Sequence, residues 1–292
     1  MKMETGMTTQ ELGITDLITE GFRRYFRNFK NILFIYLCTV LPASFLSSAV
    51  GAAFSLLGDL SSSALKESES LGLLLCSGVG LLSLLTGILA GAAGFWATLA
   101  VARLIEDDIL DRNPGWKEAL RASARRLLSA IGTSIAMAVL LVLLMLCLIV
   151  PGLIFSIYWL FTPYAVVLRG LGGQQALDYS KSLVTDRWWM VLITYFVFGI
   201  VTVAVCLPVM LGLAVLSLVP FTGFLTTTAL QIAAALFTVL MVVYFLNLDY
   251  LCSGGPGGTA SVPAAASAPI ARPFGDAPEL PQFRLPDRRD EG

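Results

Sequence analysis

The chain of 292 residues is 57% hydrophobic and 13% charged, with a mean hydropathy of +0.80 and a formal net charge of -1. Soluble domains carry about 25% charged residues, so this composition excludes a soluble monomer and makes lipid the expected solvent for most of the chain. The near-zero charge, without a basic domain or basic–aromatic interleaving, excludes an electrostatic surface for nucleic acid.

Residues 1–30 open with MKMETGMTTQELGITDL, which lacks the basic patch and short apolar core of a secretory signal peptide. Leu12, Leu17, Ile18, Phe22, Phe26 and Phe29 then recur at helical spacing, and Thr8 with Glu11 fits a capping box. An amphipathic helix is expected. Charge disappears over Asn31–Gly58 and again over Ser70–Ala102. One crossing takes roughly 20 residues, more when tilted, so each block is read as a single span. Gly87, Gly91 and Gly94 in the second include a GxxxG spacing that invites close helix packing.

From 103 to 126 the chain is polar. Glu106, Asp107, Asp108 and Asp111 form its densest acidic cluster. Carboxylates are hard ligands that suit a divalent cation, but Arg103 and Arg112 lie beside them, and solvated ion pairing is expected. Asn113-Pro114 reads as an N-cap followed by proline at the first helical position. Trp116, Ala119, Leu120, Leu127 and Leu128 fall on one side of that helix, with Lys117, Glu118, Arg121 and Arg125 mostly opposite.

Leu127–Leu168 is uncharged and long enough for two short spans. Pro151-Gly152 is expected to form the tight turn between them. A proline-kinked re-entrant pair is the alternative, and would leave Arg169 on the far side. Pro163 should bend the returning span, with a neighbour or water satisfying the freed carbonyl. Gly172-Gly173 ends one element, and Ala176, Leu177, Leu183, Val184 and Trp188 mark another apolar stripe. Trp188–Leu248 then holds two more spans, returning near Pro208–Pro220. Gln231 is the sharpest polar feature within the spans; it follows Thr226, Thr227 and Thr228 and lies roughly 15 Å past Phe221 along a helix. It is a candidate interhelical polar contact or ligand contact. Of the cysteines, Cys38, Cys76, Cys147 and Cys206 read as small core residues and Cys252 as an unmodified thiol.

The expected fold class is therefore all-α: a polytopic membrane bundle of six transmembrane helices with amphipathic cytoplasmic helices. Its segments are residues 1–30, a membrane domain over 31–250 and a disordered cytoplasmic Pro/Ala/Gly-rich tail over 251–292. Lys and Arg concentrate in 1–30, 103–126 and 169–187, which six spans place on one face. The positive-inside rule makes that face cytoplasmic, N-in and C-in. Phe22, Phe26, Trp116 and Trp188 are the candidate membrane-interface anchors. An amphipathic helix, a basic and aromatic junction and a hairpin recur three times, which suggests an internal repeat.

The basic helix 119–126, Val150-Pro151-Gly152, the aromatic run ending at Val166-Val167-Leu168, Gly172-Gly173 with Ala176-Leu177, and then Ser182 and Arg187-Trp188-Trp189 carry a resemblance. Over 113–200, and more loosely over 12–250, the chain resembles the membrane domain found beside some bacterial glycerophosphoryl diester phosphodiesterases. It is also similar to related stand-alone multi-pass proteins of unassigned function. The resemblance implies a membrane scaffold and carries no activity with it. A metal-dependent phosphodiesterase needs histidines and carboxylates around its metal, and this chain contains no histidine.

No charged residue interrupts the expected spans, which disfavours an ion-coupled pathway. The expectation is a non-enzymatic integral membrane scaffold or accessory protein, without cofactor or metal, in a bacterial cytoplasmic membrane. Its partners would be membrane lipids, anionic at the cytoplasmic face, and an unidentified membrane protein. The alternative is a transporter or permease for an uncharged or amphipathic solute.

Overall fold

The computed structural model describes residues 13–64, 69–112, 115–214 and 222–253, and regular structure among them is entirely helical. The elements are α1 (Ile14–Arg27), α2 (Phe29–Ala64), α3 (Glu69–Ile109), α4 (Trp116–Cys147), α5 (Ile149–Tyr158), α6 (Thr162–Tyr164), α7 (Gln174–Val184), α8 (Trp188–Ala214) and α9 (Gly223–Ser253). A π turn over Ala165–Arg169 follows α6, and a 3-10 turn over Thr185–Arg187 joins α7 to α8. Six segments are long and apolar enough to cross a membrane: Phe29–Ala53, Gly80–Ile109, Trp116–Cys147, Ile149–Arg169, Gln174–Ala214 and Gly223–Cys252. The chain is a six-helix membrane-spanning bundle, as expected.

The last span is its centre. Two thirds (67%) of the most apolar window of Gly223–Cys252 is buried, against 11% for Trp116–Cys147. A helix apolar on every side suits such a position. Leu236, Val239, Leu240, Met241 and Phe245 of α9 are almost completely buried, in one core with Ile32 and Ile35 of α2, Leu99, Leu104 and Ile105 of α3, Phe161, and Phe198 of α8. Cys38 and Cys147 are exposed on helix surfaces, which corrects their expected place in the core.

The two short spans form a hairpin, but its turn is not at Pro151-Gly152. α4 stops at Cys147 and α5 starts at Ile149, and the break is Leu148, in an extended conformation (φ -159, ψ 117). Pro151 sits in the first turn of α5, where its missing N–H would lack a helical partner anyway. Gly152 packs against Met145, so that an added Cβ would lie 3.1 Å from the Met145 Cα. Further along, an added Cβ at Gly172 would lie 3.2 Å from Ser129 Oγ, and the Gly173 N–H donates to Thr133 Oγ1 at 3.0 Å. At Gly170 (φ +74) a Cβ would overlap the Arg126 guanidinium. Met145 and Gly152 meet beside the break, and residues 126–133 meet 170–173 further on, so the chain returns along α4 and brings Arg169 back beside the basic end of α4.

Pro163 breaks the returning span as expected. The helix opens between Tyr158 and Thr162 and leaves backbone groups without their usual partners. Ser180 of α7, with 0% exposure, satisfies both sides of the gap. Its Oγ donates to the Tyr158 carbonyl at 2.7 Å and accepts from the Phe161 N–H at 3.1 Å. A buried backbone group without a partner is costly, and one hydroxyl supplies donor and acceptor together.

The amphipathic segments are packed into this bundle. α1 runs antiparallel along α9: Gly21 lies against Leu240, with the Leu240 Cα 3.6 Å from an added Cβ, and the Tyr25 hydroxyl donates to the Ile232 carbonyl at 2.9 Å. Residues 116–126 are continuous with the span that follows, as one helix α4 that begins at Trp116 with Gly115 as N-cap. α7 buries Ala176, Tyr179, Ser180, Leu183 and Val184. α8 continues through Pro208 to Ala214, so the expected return falls later than that proline. The capping box at Thr8 and Glu11, the Asn113-Pro114 start, Pro220 and the tail from 254 lie outside the described residues.

Candidate functional site

Two polar constellations stand out from the apolar bundle. One is a cavity of about 330 Å³ between α2, α3 and α9. Gln231 lines it, with Ser44, Ser47 and Ser48 from α2 and Thr227 from α9. The three serines share a helix face because their i, i+3, i+4 spacing follows the helical period. Gly91 and Gly94 of α3 form the opposite wall. At Gly94 an added Cβ would lie 3.2 Å from Gln231 Oε1, whereas at Gly91 it would meet nothing within 4 Å. The glycines therefore leave room for polar groups rather than drawing two helices into contact. Gly87 also has open space around it.

The other constellation joins the ends of five elements. Asp108, in the last turn of α3, pairs with Arg24 at 3.0 Å and with Arg27. Glu106, 3% exposed, pairs with Arg103 at 2.6 Å and with Arg169 at 2.7 Å. Arg169 also donates from Nε to Asp249 of α9 at 2.9 Å, and the Tyr179 hydroxyl of α7 donates to the same carboxylate. The expected pairing of the acidic cluster with Arg103 and Arg112 is present, with Arg112 and Asp107 3.6 Å apart. Its expected solvation is not: Glu106 and Asp108 are buried, because helix ends from distant sequence supply their counter-ions. Among the described residues no group of acidic, cysteine or histidine side chains is arranged to hold a metal ion.

The four candidate interface anchors, Phe22, Phe26, Trp116 and Trp188, have unequal surroundings. Phe26 is 67% exposed, on α1, and Phe22 stacks on it at 6.3 Å while packing against the core. Trp116 stacks on Phe34 at 5.7 Å with the Lys117 ammonium over its ring. Trp188 donates from Nε1 to the Ile154 carbonyl at 3.3 Å and meets Trp189 edge-on. Trp189, 71% exposed, is the more open of that pair.

Sequence reasoning found Gln231 and the α3 glycines separately but not the serines opposite them. The spacing of Ser44, Ser47 and Ser48 was the available signal. It also passed over Asp249 and Ser180. Asp249 immediately follows a long uncharged block, as Arg169 does, and two opposite charges so placed are candidates to meet. Nothing local distinguished Ser180 from other serines.

Residues 121–254, a little under half of the chain, match the family model of a domain of unknown function (DUF7847). No curated protein and no solved structure matches the chain. The matched model is not specifically the phosphodiesterase-associated membrane domain that the sequence resembles. Fold and match together describe a multi-pass helical membrane protein of unassigned biochemical activity, consistent with a cell-membrane location.

Proposed function

We propose that the chain is a non-enzymatic membrane scaffold that presents a basic helix base to anionic headgroups and a partner protein. The sorting of its arginines carries this reading. Arg24, Arg27, Arg103 and Arg169 are neutralised inside the ion network. Arg121, Arg125 and Arg126 at the base of α4 are exposed and make no ion pair among the described residues. Charges one helical turn apart at the edge of an apolar span suit anionic lipid, at about 1 kcal/mol for each near the surface. The resemblance to the phosphodiesterase-associated membrane domain belongs with this reading, as do a bacterial cytoplasmic membrane and the cytoplasmic placement of residues 1–30 and 251–292.

Two measurements test it. Protein purified in mild detergent should retain phosphatidylglycerol over phosphatidylcholine and co-purify with a defined partner. Replacing Arg121, Arg125 and Arg126 together by Gln should abolish the lipid preference; equal retention by both proteins would contradict it. In a cysteine-free version, a probe at 173 should react only from the cytoplasmic side and one at 148 only from outside. The transport reading is favoured by the cavity around Gln231, and substrate-dependent flux in sealed vesicles would establish it over the scaffold.

A further inference from the structure

We infer that the cavity between Ser44 and Gln231 is an intramembrane binding site for an uncharged, hydroxyl-bearing head, taken from a neutral single-chain glycerolipid. Most of the polar groups that line it lack, among the described residues, the partners such groups usually have. Hydroxyls in membrane helices usually satisfy themselves by donating to a carbonyl one turn back. Thr39, Thr86, Thr98, Thr226, Thr227 and Thr228 in the same three helices all do so, at 2.7–3.1 Å. Ser44, Ser47 and Ser48 do not, and they make no hydrogen bond among the described residues. Ser44 is only 6% exposed, yet its side chain lines the cavity. The Gln231 carboxamide likewise has no hydrogen-bond partner among the described residues, although Gly94 leaves space for it. Three hydroxyls and a carboxamide thus face one volume with donors and acceptors unused. An apolar ligand would leave them unsatisfied.

The chemistry of the walls narrows the occupant. All the residues named belong to apolar spans, and no charged side chain lines the cavity. An ionised head would be desolvated there without a counter-charge. Hydroxyls suit both the serines and the carboxamide because they donate and accept. The volume of about 330 Å³ lies at the small end of ligand pockets, which suits a head group rather than a whole lipid. Gly91 and Thr227 line the cavity and are both exposed, so it is open at the surface of the bundle. Both residues belong to apolar spans, so an acyl chain can remain in lipid outside while the head enters. The site stands whether the bundle serves as scaffold or carrier, because it requires binding and not flux.

The test uses the full chain in phosphatidylcholine nanodiscs and 1-oleoylglycerol carrying a diazirine in its acyl chain. Light should produce saturable labelling on α2, α3 or α9 that unlabelled 1-oleoylglycerol competes. Gly91→Val fills the open volume, and Gln231→Leu removes the amide. Each should lower the competable labelling about tenfold, the scale of one or two hydrogen bonds. Gly199→Val, on α8 where an added Cβ also meets nothing within 4 Å, should leave it unchanged. Competition by 1-oleoylglycerol but not by glycerol supports the lipid head; equal competition by glycerol overturns that source in favour of a free polyol. Equal competition by oleate, or full labelling of Gln231→Leu, overturns the site and leaves a cavity holding only water. Gln231→Leu keeps the test decisive if Gly91→Val fails to fold.

Discussion

Arg169 Nη1 donates to Glu106 Oε1 at 2.7 Å, across a sequence separation of 63 residues. The same guanidinium also reaches Asp249, so one side chain ties the end of the α4–α5 hairpin to α3 and to the central helix α9. Arg suits this position because its planar fork can serve two carboxylates at once.

Arg169→Gln should therefore leave Glu106 and Asp249 short of positive charge. Breaking a buried pair costs about 3–5 kcal/mol. Arg169 is 32% exposed, so solvent screening lowers the expected loss to about 2–3 kcal/mol. Thermal unfolding in detergent measures it. Adding Glu106→Gln should restore part of the loss, since the two residues are coupled; strictly additive losses would contradict the coupling.

Ser180→Ala should destabilise by about 1–3 kcal/mol, because it strands the Tyr158 carbonyl and the Phe161 N–H inside the protein. Ser180→Thr keeps the hydroxyl and should lose less. Hydrogen exchange at the Phe161 amide is the local measure, and unchanged protection in Ser180→Ala would show that another group closes the gap.

The hairpin makes a contrast between adjacent residues. Pro151→Ala should alter stability by no more than about 0.5 kcal/mol, since Pro151 occupies a first helical turn. Gly152→Val should cost about 1–3 kcal/mol through overlap with Met145. Equilibrium unfolding of the two variants decides whether the proline or the close approach of the helices sets the turn.

Gly21→Val should loosen α1 from α9. An added Cβ already overlaps the Leu240 side chain, which belongs to the buried core. The overpacking should cost about 1–3 kcal/mol, with faster proteolysis within α1. Cleavage of α1 at an unchanged rate would mean that the helix is not held by this contact.

Tyr25 gives a pH dependence. Burial is the main cause that pushes its phenol from 10.0 to about 12, with a smaller contribution from Cys206. The folded protein keeps the proton that the unfolded chain releases above about pH 10. This contribution to stability is therefore intact below pH 10 and is lost as pH rises through about 12. Tyr25→Phe should flatten the alkaline slope of stability over that window while lowering stability at neutral pH through loss of the bond to Ile232. An unchanged slope would place the alkaline sensitivity elsewhere.

The sequence alone determined the spans, because membrane crossing depends on the length and apolarity of continuous segments. The four blocks without charge that hold six spans, the bend at Pro163 and the pairing of Glu106 with Arg103 could all be read from neighbours along the chain. Tertiary structure decided what those residues meet. The turn moved to Leu148 because a proline fits the first turn of a helix, and Gly152 was needed for the approach of Met145. Phe26 faces outward while Leu17, Gly21 and Tyr25 face α9, because docking selects one side of an amphipathic helix. Ser44 and Gln231 share a cavity, and Arg169 shares Glu106 with Arg103, only because helices far apart in sequence pack side by side. Hydropathy is a property of each segment by itself, whereas the partner of a polar group within a bundle is a property of the packing between segments.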